Sequence, residues 1–324
     1  MANGQWYPPE WPARIRALAD GSLTPVPPRR AATVMLLRDG GAAGPAVHLL
    51  RRRTAMAFAG GAYAYPGGGV DPRDADPAPA VRWAGPSRAA WAARLGVDGP
   101  TAQAIVCAAV RETFEESGVL LAGPDPHTVV GDTTGDDWEA DRAALVAREQ
   151  TFAEFLGRRG LVLRGDLLAA WTRWITPEFE PKRYDTWFFV AALPAGQRTR
   201  NASTEADRTV WARPEDAVAG YERGEYLMMP PTVATLRQLL PYASAAEVLA
   251  AAANRDLTPV LARARITDGG EVVLSWPGHE EFTKRIAADA GVTRPDPAEP
   301  ASQEPVPADP ASAGRTPSDP KDPA

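Results

Sequence analysis

A single cysteine, Cys107, in a chain of 324 residues rules out an intrachain disulfide and any multi-cysteine zinc site. Histidine is almost as scarce: His48, His127 and His279 stand far apart and make no ligand spacing. No apolar run approaches the roughly 20 residues that a membrane span requires. The opening stretch MANGQWYPPEWPARIRALADG lacks the apolar segment of a secretory signal, and Lys321-Asp322-Pro323-Ala324 is not a peroxisomal address. The expected location is therefore the cytoplasm, with no membrane partner. There is no excess of positive charge either. A net charge of −6 argues against a nucleic-acid polymer as partner, because such binding needs a basic surface to displace counterions. What remains is ordinary for a globular protein, 44% hydrophobic and 23% charged, and long enough for one or two substantial cores.

The most informative stretch that is present runs from Ala104 to Leu121, AIVCAAVRETFEESGVLL. At about 100° per residue it is an amphipathic helix. Val106, Cys107, Val110 and Phe114 gather on one side, which makes Cys107 a core residue. Glu112, Glu115 and Glu116 gather on the other, and Gly118 ends the helix. Carboxylates at i, i+3 and i+4 repel one another by a few tenths of a kcal/mol each. No lysine or arginine shares their face, and Arg111 is the nearest cation. Taken alone, such a run reads as a solvated acidic face. It also suits a hard divalent cation, since Mg²⁺ prefers carboxylate oxygen and substrate phosphate.

The longer string from Arg111 to Val119, RETFEESGV, resembles the second half of the Nudix box, and Gly68 with Asp74 resembles its first half. Asp74 stands where Glu is usual, and 36 residues separate it from Arg111, far more than the pattern allows. A box split in this way is similar to a branch that includes the mammalian peroxisomal coenzyme A diphosphatase and bacterial relatives. The segments WITP at 174–177 and RYDTWFF at 183–189 resemble that branch too.

The resemblance implies an α+β Nudix fold, a mixed β-sheet sandwiched between helices, with an inserted segment and accessory helices. It implies metal-dependent hydrolysis of a diphosphate linkage in a small-molecule nucleoside diphosphate derivative, coenzyme A or acyl-CoA first. Another nucleotide, such as a dinucleotide, nucleotide sugar or damaged nucleotide, is the alternative, as is a Nudix module that binds a nucleotide without cleaving it. Glu112, Glu115 and Glu116 would hold Mg²⁺ or Mn²⁺ with a backbone carbonyl of Gly67 or Gly68. Arg111 would orient the carboxylates, with Asp74 completing the pairing. The oligomeric state is left open, a homodimer being one option.

The rest of the chain divides accordingly. Residues 1–30 read as an N-terminal arm with a short helix near Pro12–Ala19, and 31–290 as the Nudix domain. Ala31–Arg38 and Val47–Arg52 form a hairpin, and one of the arginines that end it, Arg51 foremost, is placed to meet a substrate phosphate. Phe58–Pro66 is a short strand into the glycines. Residues 75–102 are the insertion, with a helix capped by Ser87 and ended by Gly96. It carries Arg82, Arg88 and Arg94 among Trp83 and Trp91, which suits either an anionic substrate with an aromatic base or a packed lid. Asp136–Gly157 reads as one accessory helix and Leu161–Ala170 as helical or irregular. Ala170–Ile175 and Tyr184–Leu193 are strands. Arg183 is a substrate-binding candidate, or else half of an ion pair with Asp185. Glu205 is an exposed acid or an additional ligand or base. Helices follow at Pro214–Tyr221, Thr232–Leu240 and Ser244–Ala253, then a late hairpin from Val260–Ile266 to Glu271–Trp276. The tail 293–324, with nine prolines and Val306 as its one sizeable apolar residue, is expected to be disordered.

Overall fold

The run Arg29–Asp39 extends as β1 because its near-continuous apolar stretch suits a strand that is covered on both faces. In the computed structural model, residues 8–41, 44–55, 60–76, 80–270, 272–277 and the strand 279–283 are described. Ala32, Val34 and Leu36 of β1 point to one core, Met35 and Leu37 to the other. Strand β2 (Pro45–Arg52) folds back antiparallel on β1 and forms the expected hairpin. The short β3 (Tyr63–Ala64) pairs with β2, and β4 (Gly67–Gly69) pairs antiparallel with β1.

The insertion contributes β5 (Trp83–Ala84) and α2 (Arg88–Leu95), which is capped by the Ser87 hydroxyl and closed by Gly96 at φ 66°. Helix α3 then runs Gly99–Ser117 and ends at Gly118, φ 74°. It begins five residues before the expected Ala104, because Asp98 accepts the N–H of Thr101 and Pro100 sits in the first turn. The assigned insertion 75–102 therefore includes the first turn of the acidic helix. After β6 (Ala122–Gly123), the expected single helix is two: α4 (Asp136–Val146) and α5 (Phe152–Arg158). Arg148 at φ 60° breaks the chain, and a capping box between Thr151 and Glu154 starts the second helix. Leu161–Ala170, expected to be helical or irregular, has one 3-10 turn at Gly165–Leu167 but also holds β7 (Val162–Arg164), paired with β5 and β6.

Strands β8 (Ala169–Ile175), β9 (Tyr184–Ala192) and β10 (Ala206–Ala212) complete most of the main sheet. Helices α6 (Pro214–Glu222), α7 (Pro230–Leu239) and α8 (Ala245–Ala252) follow, then β11 (Val260–Leu261), which pairs parallel with β8. The late hairpin is present as β12 (Arg263–Ile266) and β13 (Val272–Trp276), joined by β14 (His279–Thr283). In the main sheet the order is β10-β2-β1-β9-β8-β11, with β3 and β4 on the β2 and β1 edges. Strand β9 runs parallel to β1 and antiparallel to β8, so the sheet is mixed. Helices α2 to α5 cover one face, and α6, α7 and α8 the other. The α+β sandwich expected from the sequence is what the chain adopts. Helix α1 (Trp11–Ala19) packs with Phe179 and β13 in a third, smaller cluster. Among the described residues no helix is long and apolar enough to cross a membrane. The Pro-rich tail lies outside the described residues.

Candidate active site

Helix α3 is so thoroughly enclosed that its acidic side cannot be a solvated face. Every residue from Ala102 to Val110 is buried, and Glu115 is only 8% exposed. One turn after this apolar stretch the chain presents Arg111 and its acids to the glycine strand β4. Arg111 Nη1 donates to Glu112 Oε1 at 2.8 Å and Glu115 Oε1 at 3.1 Å. Its Nη2 donates to the carbonyl of Gly69 at 2.9 Å, and Nε reaches Asp74 Oδ2 at 3.4 Å. Glu116 Oε2 accepts the N–H of Gly67 at 2.8 Å. The three glutamates and the glycine bend are thus in one place.

The glycines are required here by close approach. A Cβ on Gly68 would lie 2.6 Å from the Glu112 carboxyl, and one on Gly67 would lie 2.6 Å from the Ala32 carbonyl. The β1–β4 ladder also separates the two carbonyl candidates. Val34 N–H bonds the Pro66 carbonyl and Val70 N–H the Arg30 carbonyl. Alternation along an antiparallel pair then turns the Gly68 peptide groups toward β1 and those of Gly67 and Gly69 away from it.

Burial dominates the electrostatics. It pushes Glu112 up to about 7, with Arg111 pulling the other way and Glu115 adding to the rise. Glu116 is pushed up to about 8 by burial and by the charge of Glu112. Glu115 is also raised by burial, against Arg111. Asp74, 3% exposed, is pushed up to about 6 by burial. Burial alone would weaken the Arg111 cation, but Glu112, Glu115 and Asp74 hold its proton more tightly than usual. One guanidinium cannot balance this many carboxylates, so the cluster has spare anionic oxygen.

That surplus fits a hard cation in kind. In arrangement, no three acidic, histidine or cysteine side chains among the described residues converge as metal ligands. The reason is visible in the hydrogen bonds: Arg111 Nη1 occupies the point between Glu112 and Glu115. An ion would take over carboxylate oxygens that this guanidinium now holds.

A small cleft opens beside Glu116, lined by Arg52, Tyr65, Gly67, Ser203 and Glu205 among others. Ser203 Oγ donates to Glu116 Oε1 at 3.4 Å. Arg52 makes a 3.4 Å contact with the exposed Glu205, and its Nε is buried without a partner. The neighbouring Arg51 is instead paired with Asp207 at 2.7 Å. The arginine of this run that faces the acidic cluster is therefore Arg52, not Arg51. Ser203 was not singled out in the sequence, and no spacing signal marks it.

The other candidate arginines lie elsewhere. Arg183, 8% exposed, donates to the carbonyls of Thr176 and Val26. It does not pair with Asp185, which is held by Arg173 at 2.6 Å. Arg82 donates to the Gly160 carbonyl, Arg88 to Val81 and Arg94 to Ala170 and Ala252. Trp91 is buried edge-on to Phe189. Arg82, Arg94 and Trp91 tie the insertion to the domain, Arg88 and Trp83 bond within it, and none of them belongs to the cluster around Arg111.

Comparison with known proteins bears on this geometry. A family profile described as the NUDT19 Nudix domain matches residues 84–239. A Xenopus laevis protein named acyl-coenzyme A diphosphatase NUDT19 is 27% identical over 195 residues, 55% of this chain and 50% of that protein. A Caenorhabditis elegans protein named putative nudix hydrolase 7 is 28% identical over 193 residues, 60% of this chain and 55% of that one. The chain thus spans about half the length of these curated relatives. A crystal structure of a NUDIX hydrolase from Alicyclobacillus acidocaldarius superposes with a TM-score of 0.60 at 28% identity, covering 72% of this chain and 99% of that one.

Proposed function

Since the chain belongs to the Nudix hydrolases, we propose that it hydrolyses the diphosphate linkage of a small nucleoside diphosphate derivative, coenzyme A or an acyl-CoA first. The observation that carries this is the crowd of buried carboxylates around Arg111, pressed against the Gly67–Gly69 strand. The name of the Xenopus laevis relative supports the acyl-CoA assignment. Dinucleotides and other nucleotide derivatives are the competing substrates. The reading goes with a cytoplasmic location and with no polymeric or membrane partner.

Glu112, Glu115 and Glu116 would hold Mg²⁺ or Mn²⁺, together with the Gly67 carbonyl, which the ladder turns away from β1. The bound ion would neutralise the phosphate oxygens that otherwise repel an attacking nucleophile. The protein's own groups do the rest. Arg111 keeps the carboxylates in register through contacts to helix, Asp74 and Gly69, a positioning role. Arg52 meets a phosphate oxygen with the N–H groups that the Glu205 contact leaves free. One of the three glutamates, or Glu205 across the same cleft, accepts the proton of the attacking water. The products are two phosphate-bearing halves.

Incubation of the protein with coenzyme A, acyl-CoAs, dinucleotides and nucleotide sugars, with Mg²⁺ or Mn²⁺, tests the reading by mass spectrometry. Cleavage in ¹⁸O-water identifies which phosphorus is attacked. The expected result is metal-dependent release of a nucleoside bisphosphate from the CoA substrates. Absence of any phosphate-bearing product from the whole panel overturns the proposal.

A further inference from the structure

The sheet face turned away from α3 holds a second concavity. Its floor is Trp174 of β8 with Thr186 and Phe188 of β9, and Trp11, Met229 and Leu274 close around it. The cavity is narrow, about 170 Å³, and its lining is almost wholly apolar.

Strand register relates this cleft to the glycine bend. Thr33 is paired with Gly67 on one side and Phe188 on the other, and Ala31 likewise with Gly69 and Thr186. Neighbouring strands lie about 4.8 Å apart, so the floor begins roughly 10 Å from the bend. The floor and the α3 acids lie on opposite faces of the sheet, so a substrate with its phosphates at the bend needs a linker that rounds the β4 edge to reach it.

The walls discriminate between ligands. Thr176 Oγ1 accepts the N–H of Tyr184 at 3.0 Å and is also bonded to the Tyr184 carbonyl. Glu180, 5% exposed, is hydrogen-bonded to Trp11, and burial pushes its carboxyl up to about 7. A nucleobase brings ring nitrogens and an amino group, for which the engaged Thr176 and Glu180 leave the Tyr184 and Thr186 hydroxyls as side-chain partners, too few to satisfy them all. A hydrocarbon chain brings no such groups, and each methylene buried strengthens binding roughly fourfold.

We propose that this cleft holds an unbranched hydrocarbon chain, the thioester-linked acyl tail of the diphosphate substrate, while the phosphates lie at Gly67–Gly69. The assignment rests on the diphosphatase reading above. It makes chain length, rather than the nucleotide, the feature this face of the sheet selects.

Two measurements separate the two ideas. In the first, KM is determined for acetyl-, octanoyl- and dodecanoyl-CoA with the intact protein, Thr186→Phe and Met229→Trp, each checked by circular dichroism. KM is expected to fall at least tenfold from acetyl- to octanoyl-CoA in the wild type. Both variants should erase that trend and leave acetyl-CoA turnover within twofold. In the second, fluorescence follows binding of dansylundecanoate, which has an alkyl chain and no diphosphate. It should bind the wild type and neither variant. A flat KM series overturns the acyl assignment while the diphosphatase reading stands. Dansylundecanoate binding with no turnover of any CoA substrate overturns the diphosphatase reading and supports the hydrocarbon cleft. Loss of both overturns both.

Discussion

Two charge clusters touch the same turn of α3, and they are balanced in opposite ways. Around Arg111, the carboxylates of Asp74, Glu112 and Glu115 converge on one guanidinium, with Glu116 alongside. Around Arg142 acids and guanidiniums are nearly matched, Asp137 being held by Arg159 as well. Glu139 lies between Arg142 and Arg200, and Asp141 is bonded by both Arg158 and Arg159. Arg142 Nη1 also donates to the Glu115 carbonyl at 2.7 Å, so the second cluster holds the helix that carries the first. Hydrogen bonding from Arg142 keeps Glu139 below the usual carboxylate range. Burial alone would raise Asp141, but the bonds from Arg158 and Arg159 hold it low. A network that stabilises matches its charges. A network that awaits a cationic or phosphate-bearing ligand carries unmatched ones, at a cost in stability that binding offsets.

Exchanging one acid in each cluster gives the largest contrast. Glu116→Gln should lower kcat by about 10²–10⁴-fold, the range for removing a group that moves a proton or positions charge. It should leave thermal stability unchanged or higher, because burial already disfavours the charged form there. Asp141→Asn should do the reverse. It should leave kcat unchanged and cost about 1 kcal/mol of stability, since it removes the charge that Arg158 and Arg159 share, Arg158 being largely exposed and Arg159 keeping Asp137. Steady-state kinetics and chemical denaturation on both variants check this. Loss of stability in the first and of turnover in the second breaks the comparison.

A smaller change tests whether geometry matters beyond charge. Gly68→Ala keeps every carboxylate but places a methyl group 2.6 Å from that of Glu112. Glu112 must swing off Arg111, and misplacement on this scale should cost about 10²-fold in kcat. The expected outcome is a lowered kcat with an unchanged melting temperature.

The legibility of these features in the sequence follows how local each one is. The cap of α2 by Ser87, the stop of α3 at Gly118 and the β1–β2 hairpin depend on neighbours a few residues away, and each was read correctly. The start of α3 was missed because the acidic pattern begins later than the cap, Asp98 with Pro100, which looked like loop. One long helix was read across 136–157 because the apolar rhythm resumes after a break whose cause, the backbone at Arg148, leaves no periodic trace. The facing of Arg51 and Arg52 was out of reach. It depends on β2 pairing with β10, and Asp207, the partner that claims Arg51, is more than 150 residues away. The insertion left two readings open, substrate contact or packed lid, for a different reason: its arginines end on backbone carbonyls, which no side-chain spacing reveals.

His48 extends the comparison to a group with no counter-charge at all. It is fully buried on β2, its ring tilted against Trp211, and neither ring nitrogen has a partner among the described residues. Burial, helped by the Arg38 charge, pushes it down to about 4. The folded state therefore resists a proton that the unfolded chain accepts near pH 6.5. Stability should be constant above that pH and fall as pH drops from about 6.5 to 4, by roughly 1 kcal/mol at pH 5.5. His48→Leu should remove that part of the acid sensitivity, read as the difference between the two denaturation series. Equal pH slopes for both proteins would mean that His48 takes up its proton inside the fold.

The finest test lies between two adjacent arginines. Arg51 has its charge met by Asp207 at 2.7 Å, whereas Arg52 has a 3.4 Å contact with an exposed glutamate and a buried Nε without a partner. If unmatched charge marks the side chains that receive a ligand, only Arg52 should matter for substrate. Arg52→Gln should raise KM about tenfold, equivalent to about 1.4 kcal/mol, with little change in kcat. Arg51→Gln should leave KM within twofold and cost at most about 1 kcal/mol of stability, as a half-exposed surface pair does. Equal KM effects from the two substitutions would show that pairing within the protein does not decide which charges reach the phosphates.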